Sequence, residues 1–242
     1  MSVLDIGAIV IILLGALLGF KKGAIKSLIQ LVGIVAIVIV AYQFKGLLGN
    51  FFIRFLPFFN FGGALNELYA MNLLVYQGIA FVIIFVLLYC ILNILINLSG
   101  ILDLLVKLTI ILELPSKIIG AILGAVEAVV FVFILGFTML QIGQTQKYVM
   151  ESKVTKTIVE RTPVVRDVFA GTISASMDIY KSIENYQTTK NSVATNLEII
   201  TYLMQVGMVD DTLVQEAIDN GKLHMPNVVV SQGGTNRKWS NI

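Results

Sequence analysis

Residues 3–44 form a nearly unbroken apolar run whose only charged side chains are Asp5, Lys21, Lys22 and Lys26. As one helix at about 1.5 Å per residue it would be roughly 63 Å long. A bilayer's hydrocarbon core is only about 30 Å thick. One span cannot use such a run, and two spans fit. The break falls midway, at Gly19-Phe20-Lys21-Lys22-Gly23. Ammonium groups are costly in hydrocarbon and well hydrated among headgroups. Lys21 and Lys22 therefore predict an interfacial turn between helices 3–20 and 24–44. The first helix carries its positive charge after the apolar run and Asp5 before it, which is the reverse of a cleaved signal, so it is expected to be a retained span.

Composition agrees. The chain is 57% hydrophobic and 13% charged, against about 25% charged residues in soluble domains. Mean hydropathy is +0.89. The net charge of +2 suggests no nucleic-acid partner. A single cysteine, Cys90, and a single histidine, His224, allow no internal disulfide and no structural zinc site. Neither metal nor cofactor is expected. "GFKKGAIKS" fails as a phosphate loop, which needs G-x-x-x-x-G-K-[ST] after a strand.

Two further stretches are long enough to cross: residues 73–98, holding Asn93 and Asn97, and residues 118–142, holding Glu127. Between them, residues 101–114 are too short to span. Asp103 and Lys107 share a helical face there, and an interfacial or re-entrant helix is expected. Pro115 separates it from the next span. The loop 45–72 contains "NFFIRFLPFFNFGG", six phenylalanines around Arg54, expected to lie in the headgroup zone rather than pack on the bundle. The fold class is thus an all-α membrane protein, with residues 1–142 carrying four spans.

From residue 143 the charge balances, with ten basic and ten acidic side chains to the end. Amphipathic helices are expected over 146–161, 164–186, 193–206 and 210–220, a small helical tail over 143–225. Residues 226–242 are polar, aperiodic and expected to be loose.

Gly15, Gly19 and Gly23 recur every fourth residue, and Gly120, Gly124 and Ala128 repeat the spacing. "LLGALLGFKKG" and "IIGAILGAVEA" match through their first two glycines. Small residues let helix backbones approach where lipid offers no hydrophobic drive. These faces predict close helix packing, within the chain or in a homo-oligomer. Glu127 sits near the centre of its span, where an ionisable group points to a functional site with a partner. The open alternatives are a lysine of the 21–26 group, if the bundle is shallow there, or a protonated Glu127 bonded to Asn93 or Asn97. Asp5 is expected foremost as an N-cap, and otherwise as a headgroup-level acid or a partner for the tail.

"VLDIGAIVIILLGALLGFKKGAIKSLIQLVGIVAIVIVAY" resembles the opening of the CvpA (colicin V production protein) family, with its early Leu-Asp and its Gly-Phe-Lys-Lys-Gly between two spans. "LPSKIIGAILGAVEAVVFVFILGF" resembles its second signature, with Glu127 and Ala128 where relatives often have a basic residue and a third glycine. "ERTPVVRDVF" extends the likeness to about residue 170. The resemblance implies a bacterial four-span membrane protein involved in toxin (bacteriocin) production or export and in envelope maintenance, with no shared catalytic residues. Some relatives carry a trypsin-like protease domain after the spans, and none is expected here.

The function expected is a non-enzymatic integral membrane accessory or scaffold protein of the cell membrane. Its partners are the lipid bilayer and proteins of the membrane or envelope. The alternative is a small transporter or channel component using Glu127. Positive-inside counting ties, with Lys21, Lys22, Lys26, Lys107 and Lys117 on one side and Lys45, Arg54, Lys147, Lys153 and Lys156 on the other. The weight of the first helix then favours the amino terminus and tail outside.

Overall fold

The computed structural model describes residues 2–98, 113–225, 228–230 and 239–241. The described chain is helical apart from one short strand pair. The helices are α1 (Val3–Lys22), α2 (Ala24–Phe55), α3 (Met71–Leu98), α4 (Glu113–Gln141), α5 (Gln146–Glu151), α6 (Lys153–Arg161), α7 (Val165–Thr189), α8 (Ser192–Gln205) and α9 (Asp211–Asp219). α1 to α4 provide four helices long and apolar enough to cross a membrane. The proposed helix over 101–114, with Asp103 and Lys107, lies outside the described residues except at its end. Strands β1 (Val228–Val230) and β2 (Trp239–Asn241) pair antiparallel, Val229 opposite Ser240, at the two ends of the stretch expected to be loose.

Several boundaries move. α1 continues through Lys22, and the turn shrinks to Gly23 alone, at φ 78°. That backbone favours glycine, and the two lysines become the last turn of α1, where cations complement the helix dipole. α2 runs to Phe55 instead of stopping at Phe44, because the phenylalanine-rich stretch begins as helix. Phe51 and Phe55 pack one turn apart, their rings tilted by 40° with centroids at 4.7 Å. α4 takes in Glu113 and carries Pro115 in its first turn, where no backbone donor is required. The helix expected over 146–161 is broken at Ser152, whose hydroxyl caps α6 by accepting from Thr155 N.

Two compact units are interleaved along the chain. The first comprises Met1–Gln43, Val82–Met139 and Tyr148–Phe169. Here α1 and α4 pack along their glycines, and Tyr42, Phe133, Phe137 and Phe169 form an aromatic cluster with centroids 4.2–6.4 Å apart. Much of its outer surface is aliphatic: Leu13, Leu17, Val32, Leu87, Leu95 and Ile122 are all exposed, as a lipid-facing surface requires.

The second unit comprises Phe44–Phe81, Leu140–Lys147 and Ala170–Ile242. Its core joins Leu65, Leu68, Met71 and Leu74 to Ile179, Ile199, Leu203 and Leu213. The tail helices are therefore one side of a core whose other side is residues 44–81. Phe52, Phe58 and Phe61 of the phenylalanine-rich stretch pack on this core, while Phe51, Phe55 and Phe59 stay exposed. Buried polar side chains pin the turns. Asn72 accepts from Phe59 N at 2.7 Å and donates to the carbonyls of Phe59 and Tyr69. Asn196 accepts from Ala70 N at 2.9 Å and donates to Glu67 O. Lys222 Nζ donates to the carbonyls of Ile53, Arg54 and Leu56 at 2.6–3.1 Å, closing the end of α2. Burial pushes the Lys222 ammonium below its ordinary value, and nearby Glu216 opposes the shift.

Candidate functional site

The first unit holds a seam between α1 and α4. A Cβ built on Gly15 would collide with Ala128 Cβ and with Gly124 O; one on Gly19 would overlap Gly120 O and lie 2.8 Å from Gly124 Cα. A Cβ on Gly120 would lie 2.7 Å from Gly23 C, and one on Gly124 would lie 2.7 Å from Gly19 Cα. Backbone meets backbone at every step, which only glycine permits. Gly15 lies against Gly124 and Ala128, Gly19 against Gly120 and Gly124, and Gly23 against Gly120. The two helices therefore run antiparallel. All five glycines predicted from sequence meet within the chain.

This register brings Lys22 and Glu127 together. The level of Gly120 is that of the lysine turn, and Glu127 lies seven residues deeper, about 10 Å. Helical side chains lean toward their own amino terminus. In an antiparallel pair, Lys22 therefore leans inward and Glu127 outward, toward each other. Lys22 Nζ lies 3.8 Å from Glu127 Oε2, with side chains 25% and 7% exposed. This is an ion pair at one end of the glycine seam, covered on its acid side and open on its basic side.

Asn93 donates to Tyr89 O of its own helix at 2.8 Å; the side chain of Asn97 lies outside the described residues. Of the three polar residues grouped from sequence, Glu127 has found the lysine alternative. Lys21 is an exposed neighbour on the last turn of α1. The turn itself is closed by side chains: Ser116 Oγ accepts from Ala24 N at 3.1 Å, and Ser27 Oγ donates to Gly19 O.

At the other end of α1, Asp5 forms a second polar node. Ser2 and Asp5 make a capping box. Asp5 Oδ2 accepts from Ser2 N at 2.8 Å, while Oδ1 accepts from Ser152 Oγ at 2.6 Å and from Val154 N at 2.9 Å. One buried carboxylate thus serves the amino-terminal ends of both α1 and α6, where helix dipoles favour an anion. Two of the roles open to Asp5 in the sequence, capping and pairing with the tail, are filled at once. Sequence reading did not place Asp5 among the site residues. The signal available was S-x-x-D ahead of an apolar run.

The chemistry this arrangement supports is packing and charge compensation. His224 is stacked on Tyr69 with centroids at 4.5 Å, and Cys90 is exposed on α3. No group of three or more His, Cys, Asp or Glu able to hold a metal occurs among the described residues.

The sequence profile of the colicin V production protein family matches residues 4–163, about two thirds of the chain. It covers the glycine seam, the Lys22–Glu127 pair, Asp5 and α6. No curated protein and no solved structure matches.

Proposed function

Because the chain belongs to the colicin V production protein family, we propose that it is a non-enzymatic, multi-pass membrane accessory or scaffold protein serving bacteriocin production or export and envelope maintenance in a bacterial cell membrane. The observation that carries this reading is the α1–α4 seam, a rigid backbone-to-backbone joint inside the membrane-spanning part. Such a joint suits a protein that holds partners rather than one that turns over a substrate. The positions of the one cysteine and the one histidine fit a non-enzymatic role. The test is deletion combined with affinity purification. A changed tolerance to envelope stress or a changed peptide export, together with co-purified membrane proteins, supports the reading. Normal behaviour in both would reject it.

This reading puts the tail on the extracytoplasmic side. Lys45 belongs to α2 and is buried, so it leaves the set of loop charges. The tie in the positive-inside count then breaks toward the side of Lys21, Lys22 and Lys26. Labelling Thr188→Cys with an impermeant maleimide in intact cells, in a Cys90→Ser background, tests this. Labelling only after lysis reverses the orientation.

The Lys22–Glu127 pair also supports a second reading, a small transporter or channel component. There Glu127→Gln abolishes a flux in reconstituted vesicles while the protein stays folded. Unchanged flux removes that reading.

A further inference from the structure

Helix α6 does not leave the first unit; it turns back into it. It starts at the amino-terminal end of α1, where Ser152 and Val154 bond Asp5. It then crosses α4 at Gly136, where an added Cβ would lie 2.7 Å from Thr155 Cγ2 and 2.8 Å from Val159 Cγ2. Thr157 and, beyond the crossing, Arg161 to Val165 form one wall of an apolar groove of about 470 Å³. Its opposite wall includes Leu31 of α2 and Val126 and Val130 of α4. The start of α7 then returns along α4, with Phe169 packed edge-on against Phe133 at 5.3 Å and Phe137 at 4.5 Å.

The depth follows from the register. Val130 and Val126 lie about 9–15 Å from Gly136 along the α4 axis. The glycine pairing of Gly15 with Gly124 and Ala128 places that level at the middle of α1, hence at the middle of the span. We propose that residues 152–169 are a re-entrant hairpin whose tip, Thr162-Pro163-Val164, reaches mid-span. Its charged outer face lines a water-filled vestibule that opens at the amino-terminal end of α1 and favours small anionic solutes.

Three observations support this. Lys153, Thr157 and Arg161 are exposed and fall on one helical stripe, one turn apart. A charged side chain at the depth of Arg161 faces water or protein rather than lipid. The tip breaks the helix, with Val164 at φ 64°, and irregular backbone at membrane depth occurs only where protein or water surrounds it. The charges are also unequal. Lys156 pairs with Glu160 at 4.0 Å and Arg166 with Asp167 at 3.5 Å, whereas Lys153 and Arg161 have no ion pair among the described residues. The furrow therefore carries excess positive charge, which concentrates anions.

The test uses the full chain in native membranes with Cys90→Ser and a single cysteine at Thr157. Anionic and cationic methanethiosulfonates of similar size are applied to intact cells and to inverted vesicles. A cysteine added before Met1 reports the side of the α1 amino terminus, and Val10→Cys reports a lipid-facing position, Val10 being exposed on α1. The expected result is modification at 157 from the amino-terminal side only. The anionic reagent should react roughly tenfold faster, the lower end of electrostatic focusing in a charged cleft. Arg161→Gln should bring the two rates together. Lys153→Cys, nearer the mouth, gives the same pattern if the Thr157 variant misfolds. Reaction at 157 no faster than at 10, entry from the opposite side, a cationic preference, or disulfide cross-linking to a second copy without reagent access would each overturn the proposal.

Discussion

Adding one methyl group to Gly124 should separate α1 from α4. Its Cβ would overlap Gly15 O and stand 2.7 Å from Gly19 Cα and 2.9 Å from Gly19 N. All three neighbours are helical backbone, so no rotamer change relieves the clash. The helices must part, and the close contacts of the whole seam weaken together. Overpacking of this kind costs about 1–3 kcal/mol. A loss of 2 kcal/mol corresponds to about a 30-fold change in the folding equilibrium, and to roughly 4–8 °C in Tm at this chain length. Gly7→Ala is the matched control on α1, because its Cβ would meet nothing within 4 Å; there the change should be neutral or stabilising by up to about 1 kcal/mol. Gly15→Ala distinguishes the two contacts at its site. Ala128→Gly relieves the collision with Ala128 Cβ but leaves the one with Gly124 O, so the rescue is partial. The assay is thermal unfolding in one fixed detergent, followed by loss of the monodisperse peak. Equal Tm values for Gly124→Ala and Gly7→Ala would refute the seam. Full rescue of Gly15→Ala by Ala128→Gly would refute the backbone contact.

Lys22→Met should destabilise more than Glu127→Gln, because it strands a carboxylate only 7% exposed, while a stranded Lys22 is already 25% exposed; the double variant should lose less than the sum of the two, and an additive double-mutant cycle would show that the pair does not interact. Asp5→Ala removes the acceptor for Ser2 N, Ser152 Oγ and Val154 N and should cost about 1–3 kcal/mol, read as faster tryptic cleavage at Lys153; unchanged cleavage would refute its role in holding α6. Lys222→Met removes the donor shared by three carbonyls at the end of α2 and should lower Tm by several degrees for a loss of about 1–2 kcal/mol, whereas Glu216→Gln, which disrupts an exposed pair with Arg54 and removes a charge near Lys222, should change Tm little.

The parts of this fold that were legible in the sequence are those fixed by local rules. Run length against bilayer thickness gave the spans, and four-residue glycine spacing marked two faces for close packing, within the chain or between copies. Neither needs knowledge of a distant partner. What stayed open at Glu127 was a question of register. A lysine seven residues away in depth becomes reachable only once two helices are known to run antiparallel, and the glycine spacing alone is silent on direction. Asp5 was ambiguous for the same reason. Its capping partner is three residues away in the chain, but its donors at Ser152 and Val154 lie beyond every span. The end of α2 was misjudged because a half-apolar segment carries no mark of which surface covers it, and the covering residues come from the far end of the sequence.

The tail shows where composition misleads. The shift at residue 143 from apolar to charge-balanced sequence reads as an exit from the membrane, and a sliding hydropathy window gives α6 no chance, since it has only nine residues. Yet its buried stripe, Thr155 and Val159, fits against Gly136, a glycine that belongs to neither triplet and had no assigned role. A glycine on a span that is not matched by another span's small residues asks for something else to pack there. Here the visitor is a short amphipathic helix, apolar enough on one side to rest on α4 and charged on the other. A sequence that places such a helix within a dozen residues of its last span, closed by Thr-Pro, has the parts for a hairpin that returns to the bilayer. The polar side of that hairpin then sets what the membrane must provide at that depth, which is water.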